Sequence, residues 1–200
     1  YKKAVDEQGG KHFSFSEEIN DFYNDGVQII DEFKRRRGAY FSKKNTELLG
    51  VEIPILCPVE GSDKIMVMGF VDLVIKEGDR IKIIDIKTSM FGWKPKKKKG
   101  EGDQLRIYKK YFAKQIGCEE KDIDVKYFIV RRKIPEDSMY PIKPVSEFSP
   151  ASGKPTVNKV MTDVDSFVKN AFHPDGTHNI DRNYLAIGGK GLKHCKWCPF

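Results

Sequence analysis

An α/β fold, with a central mixed β-sheet flanked by helices, is what the sequence predicts, and three observations carry it. Apolar runs of strand length lie at 65–75, 81–86 and 125–130. Apolar stripes at helical spacing lie near the start of the chain and again over 156–172. The elements follow in the order helix, three strands, helix, strand, helix, a pattern that layers helices on a sheet. The 200 residues suffice for one domain with its own core, expected over about 46–132, between an N-terminal helix (about 14–37) and a C-terminal helix and tail (156–200).

In the first helix, Ser14-Phe-Ser-Glu17 reads as a capping box, and Phe15, Ile19, Phe22, Ile29, Ile30 and Phe33 form an apolar stripe expected to be core. Arg35, Arg36 and Arg37 before Gly38 suit the negative end of that helix. The first core strand carries Glu52 in Gly-Val-Glu-Ile-Pro. The runs at 65–75 and 81–86 are joined by Glu77-Gly78-Asp79, which predicts a tight hairpin. A helix over 103–116 starts at Asp103 as cap and stops at Gly117. The nearly continuous apolar run 125–130 predicts a buried strand. Pro135, Pro141, Pro144, Pro150 and Pro155 make 134–155 an irregular excursion. The last helix, 156–172, is expected to turn Val157, Val160, Val164, Phe167 and Val168 inward.

Two acids interrupt the apolar strands. Asp72 lies within the run 65–75 and Asp85 near the end of 81–86. A carboxylate in such a place is costly unless it is paired or bound to metal. The hairpin makes the two acids neighbours, and Lys87, two residues after Asp85, emerges on the same strand face as Asp85. Carboxylate oxygens suit a hard divalent cation. An adjacent ammonium can orient a water or offset charge developing on a phosphate. These are the parts that phosphodiester hydrolysis needs. An Asp-x-Lys triplet alone arises readily in a lysine-rich chain; a second acid on the paired strand makes chance a poorer explanation. Gln104 and Tyr108, four residues apart, share one helix face.

Taken in order, Gly69-Phe-Val-Asp72, Asp85-Ile-Lys87 and Gln104-x-x-x-Tyr108 resemble the RecB-type branch of the PD-(D/E)xK nuclease superfamily, over roughly 52–111. The resemblance implies a restriction-endonuclease-like core. It assigns Asp72, Asp85 and the backbone carbonyl of Ile86 to a Mg2+ (or Mn2+) ion and Lys87 to catalysis. It places Gln104 and Tyr108 beside the site against DNA and makes Glu52 a supporting site residue. The early G-x-x-x-H-type motif of many relatives is missing: His12 precedes the first helix, and Glu32 has no glycine at the right spacing. One metal or two therefore stays open. Some RecB-like nucleases hold a 4Fe-4S cluster on one early and three late cysteines. Here Cys195-Lys-Trp-Cys198, beside His194, supplies two late ones, while Cys57 and Cys118 fall in or just after core elements. An iron–sulfur or zinc site at Cys195 and Cys198 is the secondary reading, and a non-ligating remnant the preferred one.

A net charge of +7 and a pI near 9.1 favour a polyanionic partner. Lys94, Lys96, Lys97, Lys98 and Lys99, edged by Pro95 and Gly100, fall between the Asp-x-Lys strand and the Gln104 helix, where a flap could track phosphates. Trp93 and Phe91 in the same stretch could stack on unpaired bases or pack the loop onto the core. Lys109, Lys110, Arg131, Arg132 and Lys133 extend the basic set. No secretory signal or membrane-spanning stretch is visible, and four cysteines in such a chain suggest a reducing, intracellular setting. The expected function is a Mg-dependent deoxyribonuclease, an exonuclease on DNA ends or single strands in repair, recombination or phage DNA metabolism. A structure- or sequence-selective endonuclease and a silent DNA-binding module of a recombination or replication assembly are the alternatives. RNA as substrate stays open.

Overall fold

Gly78, at φ 62°, reverses the chain within two residues and pairs Glu77 with Arg80, closing the hairpin that the sequence predicts. A computed structural model describes residues 9, 16–41, 43–90, 100, 102–133, 139 and 142–182. In it the sheet has five strands in the order β1-β2-β3-β4-β5. These are β1 (Thr46–Pro58), β2 (Met66–Glu77), β3 (Arg80–Ser89), β4 (Ile123–Arg131) and β5 (Val145–Phe148). β1, β2 and β3 form an antiparallel meander. A crossover through helix α3 (Asp103–Ile116) brings β4 parallel to β3, and β5 returns antiparallel to β4. The sheet is mixed, as predicted.

Alternation along the strands supplies two apolar faces. On one, Ile55, Val71, Val74, Ile83, Val125 and Ile129 pack with Leu105 and Phe112 of α3 and with Val157 of α4 (Lys154–Ala171). On the other, Ile75, Ile84 and Phe128 meet Phe33 of α1 (Ser16–Arg35), Tyr40 of the short α2 (Arg37–Tyr40), and Phe41. Phe33, Tyr40 and Phe41 place their rings within 5.4–6.2 Å of the Phe128 ring. Glu32, buried beside them, is neutralised by Arg35 and Arg36, each at 2.9 Å.

Several expectations need correction. The α1 stripe is mostly not core: Phe22 and Ile30 are 42% and 55% exposed, because only the helix end at Phe33 reaches the sheet. Phe22 instead lies 5.2 Å from the Arg132 guanidinium. The excursion 134–155 contains β5, whose Pro144 carbonyl accepts the Arg131 N–H just before the strand begins. Phe167 of α4 is 64% exposed, and Met161 fills the inward position instead. Asp103 does not cap α3. Gly102, at φ 91°, occupies the cap position, and the Asp103 carboxylate turns to Arg106 Nη1 at 2.6 Å. A Cβ on Gly102 would also stand 2.6 Å from Pro150 Cβ, so the chain needs glycine there twice over. Gly117 closes α3 in the left-handed region, as predicted. Among the described residues no helix is long and apolar enough to cross a membrane.

Candidate active site

The β2–β3 ladder ends at Leu73 and Ile84. One register step further stand Asp72 and Asp85, and there the ladder gives way to a side-chain bond. The Ile86 N–H donates to Asp72 Oδ2 at 2.6 Å. Asp72 thus caps the backbone group that a continued strand pair would have satisfied. N–H and C=O of one strand residue project to the same side, so the Ile86 carbonyl points into the same gap.

The face that both acids share follows from strand alternation. Ile83 lies in the α3-side core, and Asp85, two residues on, shares its side. In β2 the alternation slips at Asp72: Val71 and Val74 both enter the α3-side core, while Leu73 packs on the other side. The slip turns Asp72 toward Asp85. A register shift between Leu48 and Gly50 of β1 falls a little further along β2, opposite Ile75 and Val74.

Asp85 is 1% exposed. Lys87 Nζ stands 2.7 Å from its Oδ2, close enough for an ion pair but off the direction of a proper hydrogen bond, so Oδ2 has no well-directed donor among the described residues. Burial pushes the Asp85 carboxyl above its ordinary pKa; the Lys87 ammonium pulls it back, and the Asp72 charge adds to the rise. The site therefore holds a buried carboxylate whose negative charge is only partly answered.

Tyr127 of β4, paired with Asp85 across the parallel ladder, forms the floor. Lys87 Nζ lies 6.0 Å from the centre of its ring. Burial, with the nearby Asp85 charge, pushes its hydroxyl up to about 12. Sequence reasoning passed over Tyr127, although a tyrosine hydroxyl inside the buried run 125–130 was a usable signal.

Gln104 and Tyr108 share a face of α3, where Gln104 Nε2 donates to Tyr108 Oη at 3.0 Å. The Tyr108 ring lies against Gly69, where a Cβ would stand 3.1 Å from Cε1. The glycine of the Gly-x-x-Asp stretch thus admits the tyrosine of the Gln-x-x-x-Tyr helix, a physical link between two motifs that sequence treats separately. Glu52 falls opposite Asp72 in the β1–β2 register but stays exposed, at φ 52°, with no hydrogen bond or ion pair among the described residues. Among those residues no three His, Cys, Asp or Glu side chains gather as a metal cluster. The structure therefore brings together Asp72, Asp85, Lys87 and the Ile86 backbone and leaves Glu52 outside that group. Trp93, Lys94, Lys96, Lys97, Lys98, Lys99, Cys195 and Cys198 lie outside the described residues. Cys57 is a free thiol whose Sγ meets the Tyr111 carbonyl at 3.5 Å.

A mixed sheet with helices on both faces and an acid–acid–lysine group at the opened end of its central hairpin defines an α/β protein of restriction-endonuclease-like fold. A family model described as the PD-(D/E)XK nuclease superfamily matches residues 14–200, and the chain belongs to that superfamily. No curated protein matches the sequence. A solved structure described as "Crystal structure of SSO0001" is similar at 16% identity and a TM-score of 0.37. The match covers 71% of this chain and 58% of that one, so this chain spans less than two thirds of its length.

Proposed function

We propose that the protein is a metal-dependent deoxyribonuclease, and that Asp72, Asp85 and the Ile86 carbonyl would hold a Mg2+ or Mn2+ ion. The observation that carries this reading is the under-compensated, buried Asp85 carboxylate facing Asp72 where the β2–β3 ladder opens. Hard oxygen donors around a net negative gap fit a divalent cation. When bound, such an ion polarises a phosphate oxygen and makes a coordinated water more acidic. The protein's own residues do the rest. Lys87, 38% exposed and tethered to Asp85, stands between the acids and solvent, where its ammonium can orient a water toward a phosphate or offset charge gathering on the phosphate oxygens. Tyr127, 3% exposed, closes the floor beneath Asp85. The Ile86 N–H, donating to Asp72 Oδ2 at 2.6 Å, orients that carboxylate. Gln104 and Tyr108 offer amide and hydroxyl groups to a strand lying across the N-terminal half of α3.

The finer reading is an exonuclease acting on DNA ends or single strands, in repair, recombination or phage DNA metabolism. It rests on the RecB-type resemblance and the basic charge. Its test uses end-labelled linear single- and double-stranded DNA beside closed circular DNA, with Mg2+, Mn2+ or chelator. Loss of linear DNA with circles spared supports it; nicking of circles reassigns the protein as an endonuclease. Tight binding without cleavage in either metal supports the silent module.

A further inference from the structure

Lys109 breaks the pattern of its helix. The sequence counts it in the basic set that favours a polyanionic partner, yet it is 6% exposed. Among the described residues neither a hydrogen bond nor an ion pair reaches its ammonium. The stem is buried, but the ammonium keeps an opening to solvent, since Nζ is not among the fully buried polar atoms left without a partner. Burial lowers its pKa, while the charges of Asp124 and Glu120 work the other way.

Lys109 lines a cleft of about 800 Å³ between α3, the 3-10 turn Glu120–Asp122 and the start of α4, and the cleft shares no residue with the acid pair. Lys110, Lys114, Lys121 and Lys154 line it as well. Glu120 answers Lys110 at 2.9 Å and Glu119 answers Lys121 at 2.8 Å. Lys114 donates to the neutral Pro58 carbonyl at 2.9 Å and keeps its charge. Lys109, Lys114 and Lys154 are thus left facing the cleft against the one remaining carboxylate there, Glu60. The backbone of α4 adds little, since Pro155 has no N–H and the Thr156 N–H is bonded to the Gly153 carbonyl. The positive charge resides in lysine side chains.

We propose that this cleft is a phosphate-binding site, in which Lys109 is the buried donor and Lys114 and Lys154 flank the anion. Phosphate is the chemistry that three ammonium groups set against one free carboxylate fit, each acting as a point charge with rotatable donors. The phosphate belongs either to a nucleic-acid strand or to a free phosphate. In the first case the cleft is a second hold on the substrate, about 15 Å along α3 from Gln104 to Lys114, and that assignment rests on the nuclease reading.

The test titrates inorganic phosphate into the full chain by calorimetry and follows a labelled oligothymidine by anisotropy across a salt series. Lys109→Met and the exposed Lys154→Gln are compared with wild type, so a folding defect in the first leaves the second informative. Hydrolysis of a small bis-aryl phosphate ester with Mn2+ reports the acid pair alone. The expected result is phosphate binding weakened about tenfold by Lys109→Met, the loss of one charge-assisted bond. Ester hydrolysis should stay at the wild-type rate in both variants. A salt slope for oligothymidine reduced by about 0.7 per lost contact assigns the site to a strand. Weaker phosphate binding at an unchanged slope assigns it to the free anion. No phosphate binding by wild type, with identical slopes in all three proteins, overturns the site. Failure of ester hydrolysis in wild type would instead count against the nuclease reading and leave the phosphate titration standing.

Discussion

Replacing Gly69 with alanine tests whether the glycine of β2 exists to admit the Tyr108 ring. The new Cβ would stand 3.1 Å from Cε1, 3.4 Å from Oη and 3.6 Å from Cζ. Ordinary carbon contacts need about 3.5–4.0 Å, so the ring must retreat by roughly half an ångström. It cannot do so freely, because Gln104 holds its hydroxyl at 3.0 Å. Overpacking of this kind costs about 1–3 kcal/mol. Against it stands a gain of about 0.5–1 kcal/mol, since alanine loses less chain entropy than glycine in a strand. The net expectation is a destabilisation of about 0.5–2 kcal/mol, read from urea unfolding at constant m-value. The decisive comparison repeats the change in a Tyr108→Ala background. With the ring gone the clash vanishes, and Gly69→Ala should become stabilising by about 0.5–1 kcal/mol. The cycle then yields a coupling of about 1–3 kcal/mol. Equal effects of Gly69→Ala in both backgrounds would refute the reasoning.

Three further outcomes follow from the same structure. Burial raises the Asp85 pKa, so the metal-free protein should lose stability as pH rises from the ordinary carboxylate range through that raised value; Asp85→Asn should flatten the melting profile across that rise. An unchanged profile in the variant would show that Asp85 carries no such penalty. Phe128→Ala, at a 1% exposed ring holding Phe33, Tyr40 and Phe41, should cost about 3–5 kcal/mol in urea unfolding. A cost below about 1 kcal/mol would mean the N-terminal helices are not docked through it. Gln115 occupies the outer edge of β1, accepting the Leu56 N–H at 2.9 Å and donating to the Pro54 carbonyl at 2.8 Å. Gln115→Ala should cost about 1 kcal/mol and favour self-association in sedimentation, because it uncovers a strand edge; a fully monomeric, equally stable variant would contradict this.

What sequence revealed and what it hid divides along physical lines. β2 and β3 were readable because each is an apolar run of strand length and the Gly78 turn has strong local chemistry. The same turn placed Asp72 beside Asp85 before any coordinates. β5 was hidden because four residues among prolines carry no period, and its strand character comes from β4 beside it. The exposed faces of α1 and α4 were misread because helical spacing shows that a stripe exists without showing that anything covers it. Asp103 looked like a cap by type, yet Gly102 won the position through its left-handed backbone. The burial of Lys109 stayed hidden because burial of a lysine is a tertiary outcome. The slip of β2 at Asp72, which aims the carboxylate, leaves no trace in a one-dimensional pattern.

The proposal that Asp72, Asp85 and Lys87 act together on a phosphodiester meets its sharpest test in single-turnover cleavage of an end-labelled oligonucleotide. Wild type, Asp72→Asn and Lys87→Ala would be compared with Mg2+ and with chelator, and DNA binding measured in parallel. The expected result is Mg2+-dependent cleavage by wild type, slowed at least about a hundredfold in each variant, with binding changed by no more than about twofold. Cleavage by Lys87→Ala and Asp72→Asn at the wild-type rate would contradict it.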